Sequence, residues 1–153
     1  VSLQPGRRGV VEARVEYAAA VPAPPGAVWS CVCGGWAGDD IAGTIWESPF
    51  FAGGFEEVAS LPGAPEGRHR RVVSADLYET LGYVDPAAHT CRYIVHAQPA
   101  LKVTVNVTGG DQDGGTSQIR WSERSVVSAD MLEAHRRARA EFYAILATLV
   151  RDC

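Results

Sequence analysis

The sequence predicts an α+β fold: a curved antiparallel seven-stranded sheet wrapped around one long C-terminal helix, with two short helices after the first strand. Three observations lead there. From Asp130 to Val150, the residues Met131, His135, Ala138, Phe142, Ile145 and Leu149 recur at spacings of three and four, which marks one helical face; Arg136, Arg137, Arg139 and Glu141 lie largely off it. Seven other stretches read as strands, each bounded by turn residues. The order of elements then leaves the terminal helix as the sole candidate to cover the concave face of the sheet. At a rise of about 1.5 Å per residue that helix spans roughly 30 Å. A curved sheet does not close flat on one helix, so a hollow is expected between them, and function would sit there.

Residues Val1 to Gly9 carry Pro and Gly without a period and read as a loose leader, which leaves residues 10–153 as a single domain. From Val10 to Val21, the residues Val11, Ala13, Val15 and Tyr17 alternate with Glu12, Arg14 and Glu16, the pattern of a half-buried strand. Pro22 to Gly26 ends it. Prolines suit a helix start, so Ala27 to Cys33 reads as a short helix closed by Gly34 and Gly35. Trp36 to Ser48 is a second short helix or an ordered loop, bounded by Pro49. Strands follow over Phe55–Leu61, Arg68–Ser74, Leu77–Val84, Thr90–Ala97, Leu101–Thr108 and Ser117–Val127, the last two joined by the glycine-rich loop Gly109 to Gly115. That loop opens no helix and lacks the Lys-Ser/Thr of a phosphate loop, so it does not read as a nucleotide site. For the terminal helix, Asp130 stands where an N-cap would be and Glu133 could complete a capping box.

A chain of 153 residues can bury roughly 70% of the surface its unfolded form exposes, enough for a real core. No apolar run approaches the ~18 residues that cross a bilayer, and no membrane partner is expected. A net charge of -4 gives no general attraction for nucleic acid. The one basic cluster, Arg68, His69, Arg70 and Arg71, reads first as a solvated strand edge. Cys31 and Cys33 lie two apart on a helix and point away from each other, and neither a CxxC nor a zinc-finger spacing occurs. The four cysteines are therefore expected as reduced thiols in a cytoplasmic protein, a monomer or homodimer.

Val21-Pro-Ala-Pro-Pro-Gly-Ala-Val-Trp29 followed by Gly34-Gly-Trp36 resembles the first strand-to-helix passage of the START-related (SRPBCC) superfamily, in particular its polyketide cyclase/dehydratase-like branch. Arg70-Arg71-Val72, Glu79, Asp85-Pro-Ala-Ala, Arg92-Tyr93-Ile94-Val95, Pro99 and Ile119-Arg-Trp121-Ser agree in order, so the resemblance runs from about Val11 to Val150. It implies the helix-grip fold and an apolar pocket, and it leaves catalysis and carriage both open, since the superfamily includes cyclases, ligand carriers, hormone receptors and lipid-transfer domains. A short turn between Ser74 and Leu77, and the lack of a His-Pro after Gly34-Gly-Trp36, imply a pocket mouth that differs from the cyclase pattern.

Strand parity indicates what faces the hollow. Leu77, Leu81 and Tyr83 place Glu79 on the inner side, and the polar set Gln118, Arg120 and Ser122 turns Glu123 inward beside Trp121. Tyr93 and Val95 point in from their strand; Val103, Val105 and Val107 do so by alternation, although the family register would put Thr104 and Asn106 there instead. A carboxylate in an apolar cavity has its pKa raised by desolvation and can serve as a general acid or base. Glu79, Glu123, Tyr93 and His135 are accordingly the catalytic candidates. The plainer reading of each is an inward polar group satisfied by a neighbour; either Arg70 or Arg71 turning inward would pair with Glu79. Trp46, Leu77, Leu81, Val95, Val103, Val105, Ile119, Trp121, Ala138 and Phe142 are the candidate ligand-binding residues.

No nucleophile constellation and no carboxylate or His/Cys cluster at metal spacing is present in the sequence, so no metal and no cofactor are expected. The first functional expectation is a cyclase- or dehydratase-like enzyme of secondary metabolism, such as antibiotic biosynthesis, acting on a hydrophobic small-molecule intermediate. The second is a non-catalytic carrier or sensor of such a molecule. The third is an interaction module with a collapsed pocket.

Overall fold

The computed structural model describes residues 9–33, 42–51, 54–109 and 114–153. Strand β1 (Val10–Val21) is followed by helix α1 (Pro25–Cys33) and by 3-10 turns at Ile45–Glu47 and Pro49–Phe51. Strands β2 (Phe55–Val58), β3 (Arg68–Val72), β4 (Leu77–Asp85), β5 (Thr90–His96), β6 (Leu101–Gly109) and β7 (Ser117–Ser128) come next, and helix α2 (Leu132–Arg151) ends the chain. All seven strands form one antiparallel sheet in the order β1-β7-β6-β5-β4-β3-β2. This is the helix-grip arrangement: a curved sheet closing over one long helix. Gly34, Gly35, Trp36 and most of the Gly109–Gly115 loop, like residues 1–8, lie outside the described residues.

Period-two patterning sets the sheet. In β1, Ala13, Val15, Ala19 and Val21 are buried and Glu12, Arg14 and Glu16 are exposed, and β1 pairs with β7 along its full length from Val10 opposite Ser128 to Val21 opposite Ser117. In β6, Val103, Val105 and Val107 face inward, so simple alternation holds over the family register; Asn106 turns outward and donates to Thr90 Oγ1 at 2.7 Å. Trp121, Ile119, Tyr143 and Leu146 join these valines in the core.

Several expectations are corrected. Tyr83, expected inside with Leu81, is exposed, because the register of β4 against β5 shifts between Leu81 and Tyr83. That bulge inverts the parity beyond Gly82, so Tyr83 lies opposite the outward Arg92, whose guanidinium carbon sits 5.1 Å from its ring centroid. Helix α2 buries Tyr143, Leu146, Ala147 and Val150, while Met131 and Ile145 are exposed and Ala138 faces solvent. The helix is turned toward the apolar stripe one position later than the sequence reading, and Arg139, expected off the buried face, comes inside. Its start is also different: a 3-10 turn at Ala129–Met131 leads into it, and no side chain caps it, so Asp130 and Glu133 form no capping box.

The cysteines are corrected too. Cys31 is joined to Cys153 in a disulfide that ties α1 to the end of the chain, while Cys33 and Cys91 are free. Spacing along the sequence gave no hint of it, since the two residues are 122 apart and meet only because α2 returns to α1. The expectation of four reduced thiols fails, and cysteine usage no longer supports a cytoplasmic assignment. Among the described residues no helix is long and apolar enough to cross a membrane.

Candidate functional site

Between the inner face of the sheet and α2 lies a cavity of about 340 Å³. One wall is aromatic. Trp46 comes from the Ile45–Glu47 turn, Phe50 and Phe51 from the next turn, Phe55 from the start of β2 and Phe142 from α2. These rings pack on one another, with centroids 5.0 Å apart for Trp46 and Phe51, 5.4 Å for Trp46 and Phe55, and 6.2 Å for Phe50 and Phe142. The Trp46 indole donates to the Val32 carbonyl at 2.8 Å, which fastens this wall to the end of α1. Val72, Ser74, Ala75, Leu77, Val95, Ala97 and Leu101 complete the lining. Small-molecule pockets run from about 300 to 1,000 Å³, so this volume suits a one- or two-ring molecule better than a long or many-ringed one. Depressions of about 430 and 630 Å³ lie elsewhere, around charged side chains such as Lys102 and Arg124; Tyr83 and Tyr93 border the larger of the two.

Besides the exposed Ser74, the side chains of Glu79, Tyr93 and Arg139 bring polar groups to this lining. Between Arg70 and Arg71, it is Arg70 that turns inward. Its Nε donates to Glu79 Oε1 at 2.7 Å, and the two side chains are 2% and 11% exposed. The guanidinium carbon lies 4.3 Å from the Phe55 ring centroid and 4.8 Å from that of Trp46, so the cation is held between rings while it holds the carboxylate. Arg71 faces outward to Glu56 and Asp76. On the neighbouring strand Tyr93 is buried; burial first, and then the charges of Tyr143 and Glu79, push its phenol well above the ordinary value, so it keeps its proton. Glu79 sits opposite Val95, two residues from Tyr93, a diagonal separation of about 7 Å on one face.

Arg139 connects the cavity to a second buried cluster. Its Nη2 lies 2.8 Å and its Nε 2.9 Å from Glu123 Oε1, and the Tyr143 hydroxyl donates to the same oxygen at 2.5 Å. Burial works against the Arg139 charge, but hydrogen bonding and charge from Glu123 outweigh it and hold the guanidinium above its ordinary value. Burial, with Glu123 beside it, also raises the Tyr143 phenol. His135 stands further along α2, with Nε2 3.2 Å from Ser125 Oγ and 3.8 Å from Glu123 Oε2. Glu123 is 1% exposed in the middle of β7, not at a frayed end.

The structure therefore divides the sequence-derived candidates. Glu79, Tyr93, Trp46, Leu77, Val95 and Phe142 line the cavity. Leu81, Val103, Val105, Ile119 and Trp121 are buried in the core but are not among its walls, and Ala138 is exposed and outside the lining. Glu123 and His135 stand behind Arg139 and outside the lining. Sequence reasoning missed Arg139, Phe50, Phe51 and Phe55. A signal existed for each: an inward Glu123 needs a donor, and Arg139 is four residues from both His135 and Tyr143; Trp46, Phe50, Phe51 and Phe55 are the densest aromatic run in the chain.

No protein-family model and no curated protein matches the chain. Solved structures do. Ara h 8.0201 is 16% identical with a TM-score of 0.64, over 93% of this chain and 97% of that one. The di-domain ARO/CYC BexL from the BE-7585A biosynthetic pathway is 15% identical with a TM-score of 0.62, over 91% of this chain and 45% of BexL. Norcoclaurine synthase from Thalictrum flavum, solved in complex with dopamine and hydroxybenzaldehyde, is 12% identical with a TM-score of 0.55, over 94% and 87%. At these identities the likeness is one of fold.

Proposed function

We propose, from the Bet v 1-like helix-grip fold that this chain shares with those proteins, that its cavity takes up a small, largely apolar biosynthetic intermediate and acts on it as a cofactor-independent cyclase/dehydratase-like enzyme. The observation that carries this reading is the Glu79 carboxylate, held by Arg70 at the lining of a cavity walled mostly by aromatic and aliphatic side chains. Removing both charges of a pair from water costs several kcal/mol per ion, and apolar residues of similar volume often hold a fold as well or better. Stability alone does not call for the pair. Recognition or proton transfer in the hollow does.

In this reading Glu79 accepts a proton from the carbon beside a substrate carbonyl. Tyr93, which keeps its proton, donates a hydrogen bond to the carbonyl oxygen where charge gathers. The ring-lined walls hold the molecule folded, so that the new nucleophilic carbon lies against a second carbonyl, and the same two groups serve the loss of water that follows. Arg139, at the wall, places a cation where a substrate carboxylate or enolate can meet it.

A second reading, uncatalysed binding or carriage of the same kind of molecule, draws on the fact that Glu79 is already engaged by Arg70. Native mass spectrometry of the purified protein, before and after incubation with extracts of the producing cells, separates the two. Enzyme action predicts a bound molecule recovered chemically altered, and Glu79→Gln should abolish the alteration while binding persists. Recovery of the molecule unchanged with wild-type protein would overturn catalysis in favour of carriage.

A further inference from the structure

Two thiols that the proposed chemistry does not use lie against each other where the end of α1 meets β5. Cys33, the last residue of α1, is partly exposed, and Cys91, on the inner face of β5, is buried; their sulfurs are 3.4 Å apart. A disulfide bond is about 2.05 Å long, so closure needs an approach of about 1.4 Å, within reach of side-chain rotation without unfolding either element. Two residues earlier on the same helix, Cys31 is already bonded to Cys153. Helix α1 thus presents one sulfur toward the end of the chain and the other toward the sheet.

We propose that Cys33 and Cys91 form a second disulfide site, closed by exchange with a small-molecule disulfide of the glutathione type, which fastens the end of α1 to β5 beside the cavity. Cys33, the more accessible thiol, loses its proton and attacks the small disulfide; one thiol leaves and a mixed disulfide forms on Cys33. Cys91 then loses its proton and attacks the Cys33 sulfur, expelling the second small thiol. The protein gives up two hydrogens, the small disulfide takes them as two thiols, and no other oxidant is required. The contact with Cys91, and then burial, push the Cys33 thiol up, so closure is slow near neutrality and quickens as pH rises. Because the Val32 carbonyl next to Cys33 holds the Trp46 indole, the bond would fix the cavity wall that Trp46 forms.

The test uses the full chain, folded, with and without oxidised glutathione, followed by denaturation, alkylation and peptide mapping under non-reducing conditions. Two alkylated cysteines, Cys33 and Cys91, are expected before treatment, or already a peptide joining them. After treatment the expected result is no alkylation, a mass lower by about 2 Da and a Cys33–Cys91 linked peptide. Cys91→Ser should instead stop at a stable glutathione adduct on Cys33, and Cys33→Ser should leave Cys91 unmodified. Wild-type protein in which both thiols stay alkylatable after treatment, or in which Cys33 is found joined to Cys31 or Cys153, would overturn the proposal.

Discussion

Replacing Arg70 by Met removes the cation that faces Glu79 while keeping much of the side chain's apolar stem. Both partners are nearly sealed from water, at 2% and 11% side-chain exposure, so solvent cannot take over the lost interaction. Breaking a buried pair from one side costs about 3–5 kcal/mol, because the remaining charge is left uncompensated. The guanidinium also gives up its two aromatic faces, Phe55 and Trp46, which adds to the loss. For a domain of this size each kcal/mol is worth about 2–4 °C, so Arg70→Met should lower Tm by roughly 6–20 °C. Replacing both partners, Arg70→Met with Glu79→Leu, removes the charge and its counter-charge together. That double variant should recover to the wild-type level or exceed it by about 1–4 kcal/mol. Urea unfolding at neutral pH, followed by tryptophan fluorescence, measures both. A single variant that loses less than about 1 kcal/mol would contradict the burial of this pair, and a double variant no more stable than the single would refute its retention for a reason other than stability.

Tyr143→Phe removes one donor from the buried Glu123 carboxylate and changes little else, so it should cost about 1.5–3 kcal/mol, the usual value for a hydrogen bond to a charged group. An unchanged denaturation midpoint would contradict the geometry of that cluster. Burial, and then His69, hold His96 below its usual value of 6.5, with Glu79 opposing. The unfolded chain then binds that proton more readily than the folded one, so the stability contributed by the neutral imidazole is full above about pH 6.5 and is lost as pH falls through the depressed folded value. Wild-type protein should therefore lose more Tm between about pH 7.5 and 5.5 than His96→Gln does; equal losses would contradict the assignment.

Most of the fold was legible because period-two and period-3.6 patterns report burial directly, and the starts of all seven strands match the sequence reading. What was not legible has specific causes. Parity ran correctly along β4 to Leu81 and then failed at Tyr83, because a single extra residue at a bulge leaves no mark in hydrophobicity. The terminal helix carries two overlapping apolar stripes, and the choice between them is made by Glu123, which draws Tyr143 and Arg139 inward from a strand distant in sequence. Arg70 and Arg71 differ by one position and are followed by two valines of opposite parity, Val72 and Val73, so alternation favours neither, and their register against Glu79 and Tyr78 separates them. The Cys31–Cys153 bond depends on where the chain end comes to rest, which is a property of the packed helices and not of cysteine spacing.

Uptake of a small aromatic molecule into the hollow is tested most directly by titrating 2-naphthol into wild-type protein and into Ala97→Trp, whose added ring would occupy the cavity from its lining. Naphthol fluorescence reads binding, and Tm with circular dichroism reads folding. Wild-type protein should show saturable one-to-one binding with a Tm that rises as RT ln(1 + [L]/Kd), and the folded Ala97→Trp protein should show neither. No saturation with wild-type protein, or equal affinity in the two proteins, would contradict a ligand site between the sheet and α2.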